Sequence, residues 1–578
     1  MENQVDPVFL EVIRNAFQSI AEEMSGALVR SAYSTNIKDR KDCSCALYTK
    51  NGDLVAQAEN IPLHLGLMPN VIRALLKVYP ASQLEKGDAV LINDPYISGS
   101  HLPDWTLLSP VFYNDKLVAL VANLAHHIDV GGMVPGSMST KATEIYQEGL
   151  RLPPIKVLKR GEFDQEIISI IEKNTRTSQI NTGDLRAQVA ANHVGQRRTK
   201  ELIDEYDSET ILTYFQEVMD YSERRMKKSI KEIPNGTISF EDYLEGDGIT
   251  DELVKIAVEI TVNDEDISVD FSGTNQQTKG PVNCTRGVTQ ACVYYTIKSI
   301  VDPKVPPNDG VYRPIEVITP EGTLVNPSPP APVAHANINT SQRIVDTILG
   351  AFKESVPEKV TAASTGSMSI LTMGGLDPES GDYYSYLETY GGGQGAMYNQ
   401  DGMDGVHTNM TNTRNAPTEV IENSYPLLVN RYSLVPGSCG AGEFRGGLGM
   451  TREIVVRGHE ATFSLSTERN EIRPWGIFGG KSAGPSHCYI TDSDGQKRDL
   501  KSKTTSVLNP GDKLTLITAG GGGAGNPFER SIDKVKEDVF QGLITVDQAR
   551  EEYGVSIDST TLEIDEQETK KIREKAKP

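Results

Sequence analysis

The chain has 578 residues, of which 38% are apolar and 24% are charged, and its formal net charge is −22. Single hydrophobic cores stop growing below this length, so two or three domains are expected. The acidic balance excludes sequence-independent nucleic-acid binding and argues against anionic membranes, because both need a basic surface. No apolar run approaches the roughly 18–20 residues that span a bilayer.

The start of the chain and its cysteines predict a cytoplasmic protein. Residues 1–6 contain no basic segment leading into an apolar stretch, so no signal peptide is expected. Six cysteines are too sparse for a disulfide framework in a chain of this size. The spacing in Cys43-x-Cys45 is also too short for the usual zinc or redox motif. Free thiols in a reducing compartment are therefore expected.

A long helix and a hairpin are the first predicted elements. Residues 7–32 form one amphipathic helix, with Asp6 as N-cap and Pro7 at the first helical position. Two short extended runs joined by Asn51-Gly52 predict the hairpin. Apolar residues of the helix recur at three- and four-residue spacing: Val8, Val12, Ile13, Ala16, Phe17, Ile20, Met24, Ala27 and Leu28.

Further along, strands and helices alternate before the pattern changes. A second helix is predicted over 69–79, followed by strands over 88–93, 105–113 and 116–125. Residues 166–221 are predicted to be mostly helical. From Pro234 the pattern becomes strand and turn.

The remaining chain contains a proline-rich piece and a glycine-rich region. Residues 319–332 are predicted to be a rigid connector, and a helix is predicted at 341–354. Residues 384–520 are punctuated by glycine and rich in short strands. Residues 531–578 are predicted to form short helices that end in a charged, frayed tail.

Two histidine-bearing segments are the strongest indication of chemistry. Three of the nine histidines fall between His101 and His127. In His101-x-x-Asp104 the two side chains have room to converge on one ion across a turn, and the apolar strand 116–125 returns His126 to the same rim. Neutral imidazole and carboxylate bind Zn²⁺, Mn²⁺ or Fe²⁺. The alternative is that these are ordinary loop histidines and a surface aspartate.

These patterns predict a multidomain α+β fold of mixed helix and sheet. The metal site lies in the N-terminal part, and the C-terminal half is rich in strands and glycine. The expected units are an N-terminal metal-site domain, a middle α+β domain, a glycine-rich, strand-rich region and a helical tail, over residues 1–232, 233–383, 384–530 and 531–578.

Two glycine clusters, at 391–395 and 520–525, do not predict a phosphate site. A P-loop ends in Lys followed by Ser or Thr, and neither cluster supplies the lysine. A Rossmann fingerprint opens a helix, whereas the second cluster runs into Asn526-Pro527. Tight turns that bring the backbone close to a partner or substrate are predicted instead, so we expect no nucleotide site on this chain.

The motifs as a set resemble the HyuB-type B (beta) subunits of ATP-dependent hydantoinases and 5-oxoprolinases. That group includes caprolactamase and related subunits of acetone and acetophenone carboxylases. One departure is Cys43, where the family pattern has Phe. The landmarks run from end to end: Asp6-Pro7, Arg40-Lys-Asp42-Cys-Ser, Ile61-Pro-Leu-His64-Leu-Gly, Asn93-Asp94-Pro, Ser98-Gly-Ser-His101-Leu-Pro-Asp104, Ala125-His126-His127-Ile-Asp129-Val-Gly-Gly, Gln147-Glu148-Gly149, Gly183-Asp184-Leu-Arg186-Ala-Gln, Asp270-Phe-Ser-Gly273, Gly442-Glu-Phe-Arg445-Gly-Gly447, Arg473-Pro-Trp475-Gly and Gly520-Gly-Gly-Gly523.

The resemblance implies a site, a partner and a fold. Its metal ligands correspond to His101, Asp104 and His126, with Asp42 as a fourth ligand or a carboxylate that orients water. The family's B-type chain is of mixed α+β fold. It pairs with an A subunit (HyuA type) of actin-like ATPase fold that binds ATP and Mg²⁺, in a heteromer such as A2B2.

The resemblance also implies a reaction. ATP on the A subunit phosphorylates the oxygen of a cyclic amide, and water activated by the divalent metal of the B-type chain attacks the amide carbon. Asp42 or Asp129 accepts the proton of that water, and Glu148 is a further acid-base or structural candidate. The ring is a hydantoin, 5-oxoproline or a small lactam. Two alternatives remain: a subunit of an ATP-dependent ketone carboxylase, and a non-catalytic scaffold.

Overall fold

The computed structural model describes residues 6–58 and 60–575, with the backbone alone at Leu65. Within these residues the chain forms four β-sheets with helices packed around them, which confirms the mixed α+β class. All six cysteines are buried and unbridged. No helix in the described ranges is both long enough and apolar enough to cross a membrane.

The N-terminal part builds a seven-stranded sheet with helices on both faces. Its strands are β1 (Cys43–Thr49), β2 (Leu54–Gln57), β3 (Ala89–Ile92), β4 (Asp104–Tyr113), β5 (Lys116–His126), β6 (Ile155–Lys159) and β7 (Glu162–Phe163), in the spatial order β2-β1-β5-β4-β3-β6-β7. Its helices are α1 (Pro7–Ser31), α2 (Thr35–Lys38), α3 (Pro62–Val78), α4 (Pro95–Ser98), α5 (Gln165–Asn174), α6 (Ser178–Tyr206) and α7 (Ser208–Ile230). The predicted strands and the mostly helical segment after residue 166 are confirmed.

Helix α1 begins as predicted, because the Asp6 side chain accepts a hydrogen bond from the Val8 amide at 2.9 Å and Pro7 occupies the first helical position. Its apolar side packs with α6 and α7 on one face of the sheet. Two members of the predicted apolar set lie outside that contact, since Val8 is 73% exposed and Val12 47% exposed. The buried side of α1 includes Leu10 instead.

Helix α3 starts seven residues earlier than predicted, and this is a correction to the sequence analysis. Pro62 occupies its first turn, and Pro69 lies inside the helix rather than at its start. Proline is best tolerated in the first turn, where its missing N–H would have no intrahelical acceptor. The earlier start places His64 on the helix.

Strands β4 and β5 form the central hairpin, joined by the two-residue turn Asn114-Asp115. Both turn residues have positive φ, 46° and 58°, which is the backbone of a type I′ turn and matches the twist of the strands. The pairing continues from Tyr113 opposite Lys116 to Asp104 opposite His126, with one irregularity on the way. Two predicted metal ligands therefore face each other at the far end of the hairpin.

Helix α6 is mostly polar in sequence, and it packs against the sheet through polar side chains. Gln188 donates to the Trp105 carbonyl at 2.8 Å, and Asn192 donates to the Leu107 carbonyl at 3.0 Å. Asp184 accepts from the Tyr33 amide at 2.7 Å. Because the side chains replace backbone partners along β4, this helix locks the strand that carries Asp104.

The middle of the chain adds a second sheet and further helices. Its strands are β8 (Gly236–Glu245), β9 (Leu253–Asn263), β10 (Asp266–Asp270) and β11 (Ile315–Ile318), and its helices are α8 (Arg286–Val301), α9 (Asp309–Tyr312) and α10 (Ser341–Phe352). A π-helical turn, Ala336–Thr340, leads into α10, which confirms the predicted helix. The largest apolar core joins this sheet, α3, α8 and α10 to the second face of the seven-stranded sheet.

The C-terminal part contains two antiparallel sheets and short helices, as predicted. The strands are β12 (Ile370–Leu376), β13 (Tyr383–Thr389), β14 (Leu427–Leu434), β15 (Met450–Val456), β16 (Ala461–Ser466), β17 (His487–Thr491), β18 (Lys497–Asp499), β19 (Lys503–Leu508) and β20 (Lys513–Ile517). The helices are α11 (Thr418–Ser424), α12 (Ile532–Phe540), α13 (Val546–Tyr553) and α14 (Glu566–Lys575). The last residues of the predicted frayed tail, 576–578, lie outside the described residues. The division into four domains stays a prediction.

The two glycine clusters pack against each other in what we call the glycine layer, formed by residues 391–395, 440–447 and 520–525. The Gly521 amide donates to the Gly447 carbonyl at 2.9 Å, and the Gly393 amide donates to the Ala519 carbonyl at 3.0 Å. A Cβ at Gly521 would lie 2.0 Å from the Gln394 carbonyl oxygen. At these glycines the backbone closely approaches other backbone segments of the chain, and the predicted approach to a partner or substrate stays a prediction.

Candidate metal centre

His101 and Asp104 reach the centre from a turn between α4 and β4. Helix α4 ends at Ser98, and Gly99 follows with a left-handed φ of 79°. A Cβ at Gly99 would meet the Gly287 Cα and a Leu67 methyl at 3.0 Å, so glycine is required there. The chain then turns through His101, and Asp104 begins β4.

His126 arrives from the neighbouring strand. It is the last residue of β5 and lies opposite Asp104 in the antiparallel register. The Asn36 side chain donates to the His126 carbonyl at 2.8 Å, and the His126 amide donates to the Asp42 carbonyl at 3.1 Å. The sheet therefore fixes both the position of His126 and its distance from Asp104.

The three side chains form a compact group of potential metal ligands. One ligand atom from each of His101, Asp104 and His126 lies within 4.8 Å of the other two. The His101 Nε2 atom is 3.3 Å from the Asp104 Oδ2 atom, and the two imidazole rings are 4.9 Å apart at their centroids. All three residues are buried.

Neighbouring groups fix the orientation of these ligands. The His101 Nδ1 atom lies 3.0 Å from the Ala334 carbonyl oxygen, so it carries the proton and leaves the Nε2 lone pair for a metal. Asp104 Oδ2 accepts from the Asn337 side chain at 3.1 Å and from the Ser100 hydroxyl. Such outer contacts are typical of metal sites, where they hold a ligand in one orientation.

Unpartnered polar atoms show that these residues fit a divalent ion. His101 Nε2, Asp104 Oδ1 and His126 Nδ1 are buried and hydrogen bond to no described residue. Buried polar atoms nearly always have a partner, and three orphans in one group call for a shared one. Two imidazoles and a carboxylate are suitable ligands for Zn²⁺, Mn²⁺ or Fe²⁺.

The protonation states of His126 and His64 suit a metal, whereas the proton on His101 opposes one. Burial lowers the pKa of His126 to about 3, so its imidazole is neutral. Burial lowers the pKa of His64 as well. Burial would raise the pKa of Asp104, but the adjacent His101 outweighs this effect and holds that pKa below its usual range. The same carboxylate raises the pKa of His101 against the opposing effect of burial. A metal would compete with that proton.

His64 is a member of the site that the sequence analysis did not assign. Its Nδ1 atom lies 3.1 Å from the Ser44 hydroxyl, and its Nε2 atom lies 4.0 Å from Asp104 Oδ1. The signal available in the sequence was the Ile61-Pro-Leu-His64 landmark. Because the predicted helix began at residue 69, His64 lay outside the predicted helices and strands and was not connected with the centre.

Asp42 lines the same cavity as the three ligands. It directly precedes β1, and its carboxylate hydrogen bonds to no described residue. Burial raises the pKa of Asp42, while the nearby Arg40 charge opposes that rise. The structure thus brings Asp42 to the centre, although it does not belong to the group of mutually close ligand atoms.

The cavity is small and is lined by both polar and apolar residues. It holds about 30 Å³ of free space, which is room for an ion with about one water. A ring-sized substrate therefore requires that lining side chains move apart. Besides the groups named above, the lining residues are Ile61, Leu63, Asn337, Ile338, Met368, Ile370, Leu387, Thr389, Thr411 and Thr413.

Asp129 and Glu148 do not line this cavity. The Asp129 carboxylate accepts from the Gly131 and Gly136 amides at 2.9 Å and pairs with Arg176 at 3.2 Å. Glu148 accepts from the amides of Val333 and Ala334 at 2.9 Å, and burial raises its pKa to about 8. Glu148 therefore touches the segment whose carbonyl orients His101. The catalytic roles of both carboxylates stay predictions.

Sequence comparisons match almost the whole chain to one family. The model of the Hydantoinase B/oxoprolinase family matches residues 6–527. An uncharacterised protein of Methanocaldococcus jannaschii is 42% identical over 575 residues, which cover 98% of this chain and 100% of that one. A Pseudomonas sp. protein, named as the second (B-type) component of a D-/L-hydantoinase, is 34% identical, with 99% and 98% covered.

A longer relative matches over only part of its length. This is 5-oxoprolinase 1 of Arabidopsis thaliana, which is 36% identical over 551 residues. The match covers 91% of this chain but only 42% of the plant protein.

Two solved structures share the fold over nearly all of this chain. The ATP-dependent caprolactamase of Pseudomonas jessenii superposes with a TM-score of 0.92 at 30% identity, and covers 99% of this chain and 100% of its own. A nucleotide-free acetone carboxylase superposes with a TM-score of 0.91 at 20% identity, and covers 99% of this chain and 83% of its own. The second likeness concerns the fold alone.

Proposed function

We propose a function from one established premise: the chain belongs to the Hydantoinase B/oxoprolinase family. We infer that it is the metal-dependent subunit of an ATP-dependent amidohydrolase. Its substrate is a cyclic amide, such as a hydantoin, 5-oxoproline or a small lactam, after a partner A subunit has phosphorylated the amide oxygen. The names of the relatives and of the caprolactamase structure support this substrate class.

The observation that carries the proposal is the buried group of His101, Asp104 and His126, whose ligand atoms lie close together and each of which also has an unpartnered polar atom. A degenerate scaffold has no reason to retain them, because an unpartnered buried polar atom costs about 1–3 kcal/mol. A divalent ion at this position supplies a Lewis acid and lowers the pKa of a coordinated water.

The chain's own residues have separate parts in the reaction. His101, Asp104 and His126 would hold the ion, and the His64 Nε2 atom lies 4.0 Å from Asp104 Oδ1. Asp42, on the cavity wall, accepts the proton of the attacking water. Addition of that water to the activated carbon and cleavage of the ring C–N bond, with a proton passed to the leaving nitrogen, give an acyl phosphate. A second water then hydrolyses the acyl phosphate to the carboxylate and inorganic phosphate.

ATP binding belongs to the partner in this proposal. The glycine clusters are packed against other backbone segments and lack the lysine of a phosphate loop. The matched segment is only 42% of the plant oxoprolinase, which is what fusion of this chain to a partner would produce. For this chain, we propose that the partner is a separate A subunit.

Metal analysis and turnover test the proposal together. The chain, co-purified with its A subunit, should contain about one divalent ion per chain and should release phosphate from ATP in proportion to ring opening. Removal of the ion with a chelator should stop ring opening, and adding the ion back should restore it. Full turnover without metal would contradict the proposal, and a strict requirement for bicarbonate would indicate a carboxylase instead.

A further inference from the structure

Arg40 is a buried cation beside the metal centre that has no carboxylate partner. It is 1% exposed. Its guanidinium donates only to neutral oxygens: the Leu387 carbonyl at 3.2 Å, the Arg414 carbonyl at 3.3 Å, the Thr389 hydroxyl at 2.6 Å and the side-chain oxygen of Asn36. None of the described residues forms an ion pair with it, so its charge is not neutralised by direct contact.

The other fully buried arginines provide an internal comparison. Arg343 pairs with Asp242 at 3.1 Å, Arg469 pairs with Asp346 at 2.6 Å, and Arg530 pairs with Asp401 at 2.7 Å. This is the usual pattern, because burying an unpaired charge is costly. Arg40 departs from it beside the candidate metal centre.

The Arg40 guanidinium contacts Thr389, one end of a row of three hydroxyls that we call the threonine wall, formed by Thr389, Thr411 and Thr413. Thr389 and Thr413 are 3.0 Å apart at their Oγ1 atoms, and Thr411 and Thr413 are 3.3 Å apart. All three residues line the cavity that also contains the metal ligands. The wall therefore connects the buried charge to the cavity.

The threonine wall has one more hydroxyl proton than the contacts between its hydroxyls can use. Three hydroxyls carry three protons, and the two contacts between them use two at most. Thr389 receives a hydrogen from Arg40, so that contact uses none of the three. These hydroxyls make no further hydrogen bond to a described residue. At least one O–H therefore remains available at the cavity surface, with a positive charge behind it.

The charge balance favours an anion at this surface. When a divalent ion is bound by neutral imidazoles, the carboxylates of Asp104 and Asp42 neutralise it and leave the charge of Arg40. Hydrogen bonds from a donor to an ionised oxygen are about twice as strong as neutral ones. In a buried site the polarised wall strengthens them further.

We propose that the threonine wall, backed by Arg40, binds an anionic oxygen group of the substrate inside the metal cavity. This inference rests on the proposed metal centre. The group is either the phosphoryl group of an activated amide or a carboxylate, since both present negatively charged oxygens. The anionic group takes the place of water in the cavity. The apolar side chains that line the cavity move apart to make room for it.

Anion titration of the metal-loaded, full-length chain tests the wall. Inorganic phosphate and bicarbonate serve as probes, and calorimetry measures their dissociation constants. The wild-type chain should bind at least one of them. Tighter binding of phosphate assigns the wall to a phosphoryl group, whereas tighter binding of bicarbonate assigns it to a carboxylate.

Thr413→Val removes the central hydroxyl and keeps the side-chain shape. It should weaken anion binding about tenfold or more, as loss of a hydrogen bond to a charged group does. Thr413→Ser should restore binding. Thr372→Val is the matched control, because Thr372 is buried with an unpartnered hydroxyl but does not line the cavity.

The outcomes separate this inference from the proposed function. Metal content is measured in the same samples, so a wild-type chain that takes up no ion overturns the proposed function and the inference with it. A chain that holds its ion but binds neither anion overturns the threonine wall alone. Equal anion affinity in the wild type and in Thr413→Val would also overturn the threonine wall and leave the proposed function intact.

Discussion

The metal centre and the glycine layer are both buried, and they are built in opposite ways. The centre depends on particular side chains, since His101, Asp104 and His126 are held by contacts that reach across the chain. The glycine layer depends on the absence of side chains, because its backbones hydrogen bond where a Cβ would clash. Substitutions in the first region should therefore change chemistry before stability, and substitutions in the second should change stability first.

The largest expected effect is at the metal ligands. His101→Ala or His126→Ala should reduce bound metal to less than about one tenth of the wild-type value, because structural metal affinity depends on the whole ligand set. Ring opening should be lost while the fold persists. Elemental analysis, a turnover assay and circular dichroism check these outcomes.

His459→Ala is the matched control for the ligand variants. His459 is buried and hydrogen bonded to the Tyr384 hydroxyl at 2.7 Å, and it does not line the cavity. Its metal content should equal that of the wild type. A ligand variant that retains stoichiometric metal would show that the assignment is wrong at that position.

Asp42→Asn should give the next largest effect. The carboxylate lies on the cavity wall outside the close ligand group, so we expect metal to stay and turnover to fall about 10²–10⁴-fold, as for a lost general base. Metal content and turnover of the same preparation decide the role. Loss of metal would make Asp42 a fourth ligand. A stability loss of about 1 kcal/mol with normal rate and metal would leave it a structural carboxylate.

Gly521→Ala tests the other side of the comparison. The added Cβ would lie 2.0 Å from the Gln394 carbonyl oxygen, and backbone cannot rotate away as a side chain can. We expect the free energy of unfolding, measured in urea, to fall by at least about 3 kcal/mol, which is the upper end of the cost of overpacking. An unchanged midpoint would mean that the layer is loosely packed.

Gly26→Ala is the control for the glycine layer. Gly26 lies inside α1, where an added Cβ would meet only the flexible end of Arg30 at 3.4 Å. Alanine is the better helix former by about 1 kcal/mol. This variant should therefore be slightly more stable than the wild type, which separates a steric effect from a general effect of glycine replacement.

The smallest expected loss of function is at Asn337, which orients Asp104 without binding the ion. Asn337→Ala removes the 3.1 Å donor to Asp104 Oδ2 and should weaken metal binding about 10–100-fold, as other outer contacts do. A metal-binding titration measures the change. Asn339→Ala is the control, because Asn339 lies in the same π-helical turn but bonds to Ser466. Equal affinities in the two variants would contradict the orienting role.

Local patterns in the sequence predicted the parts of the centre that lie on neighbouring strands. The apolar run of β5 and the spacing of His101 and Asp104 indicated where the hairpin delivers its ligands. The polar residues of α6 predicted a helix but not its contact, because buried Gln188 and Asn192 resemble solvent-facing residues until their backbone partners are known. Polarity along a helix does not by itself reveal which side is buried.

The orienting groups could not be predicted from local pattern. Ala334 and Asn337 each lie 233 residues from the ligand that they contact, and no periodicity links positions so far apart. His64 was missed because an internal proline placed the predicted helix start too late. Contacts of this kind become visible only when the three-dimensional structure brings distant segments together.

The type I′ turn at Asn114-Asp115 gives the assembly of the centre an order in time. Asp104 and His126 belong to one hairpin, and hairpins form in about 1–10 μs. Their orienting partners, Ala334 and Asn337, come much later in the chain. At a synthesis rate of 5–20 residues per second, the ribosome needs roughly 10–40 s to extend the chain from His126 to Asn337. The nascent chain can therefore pair these two proposed ligands long before it contains the residues that orient them.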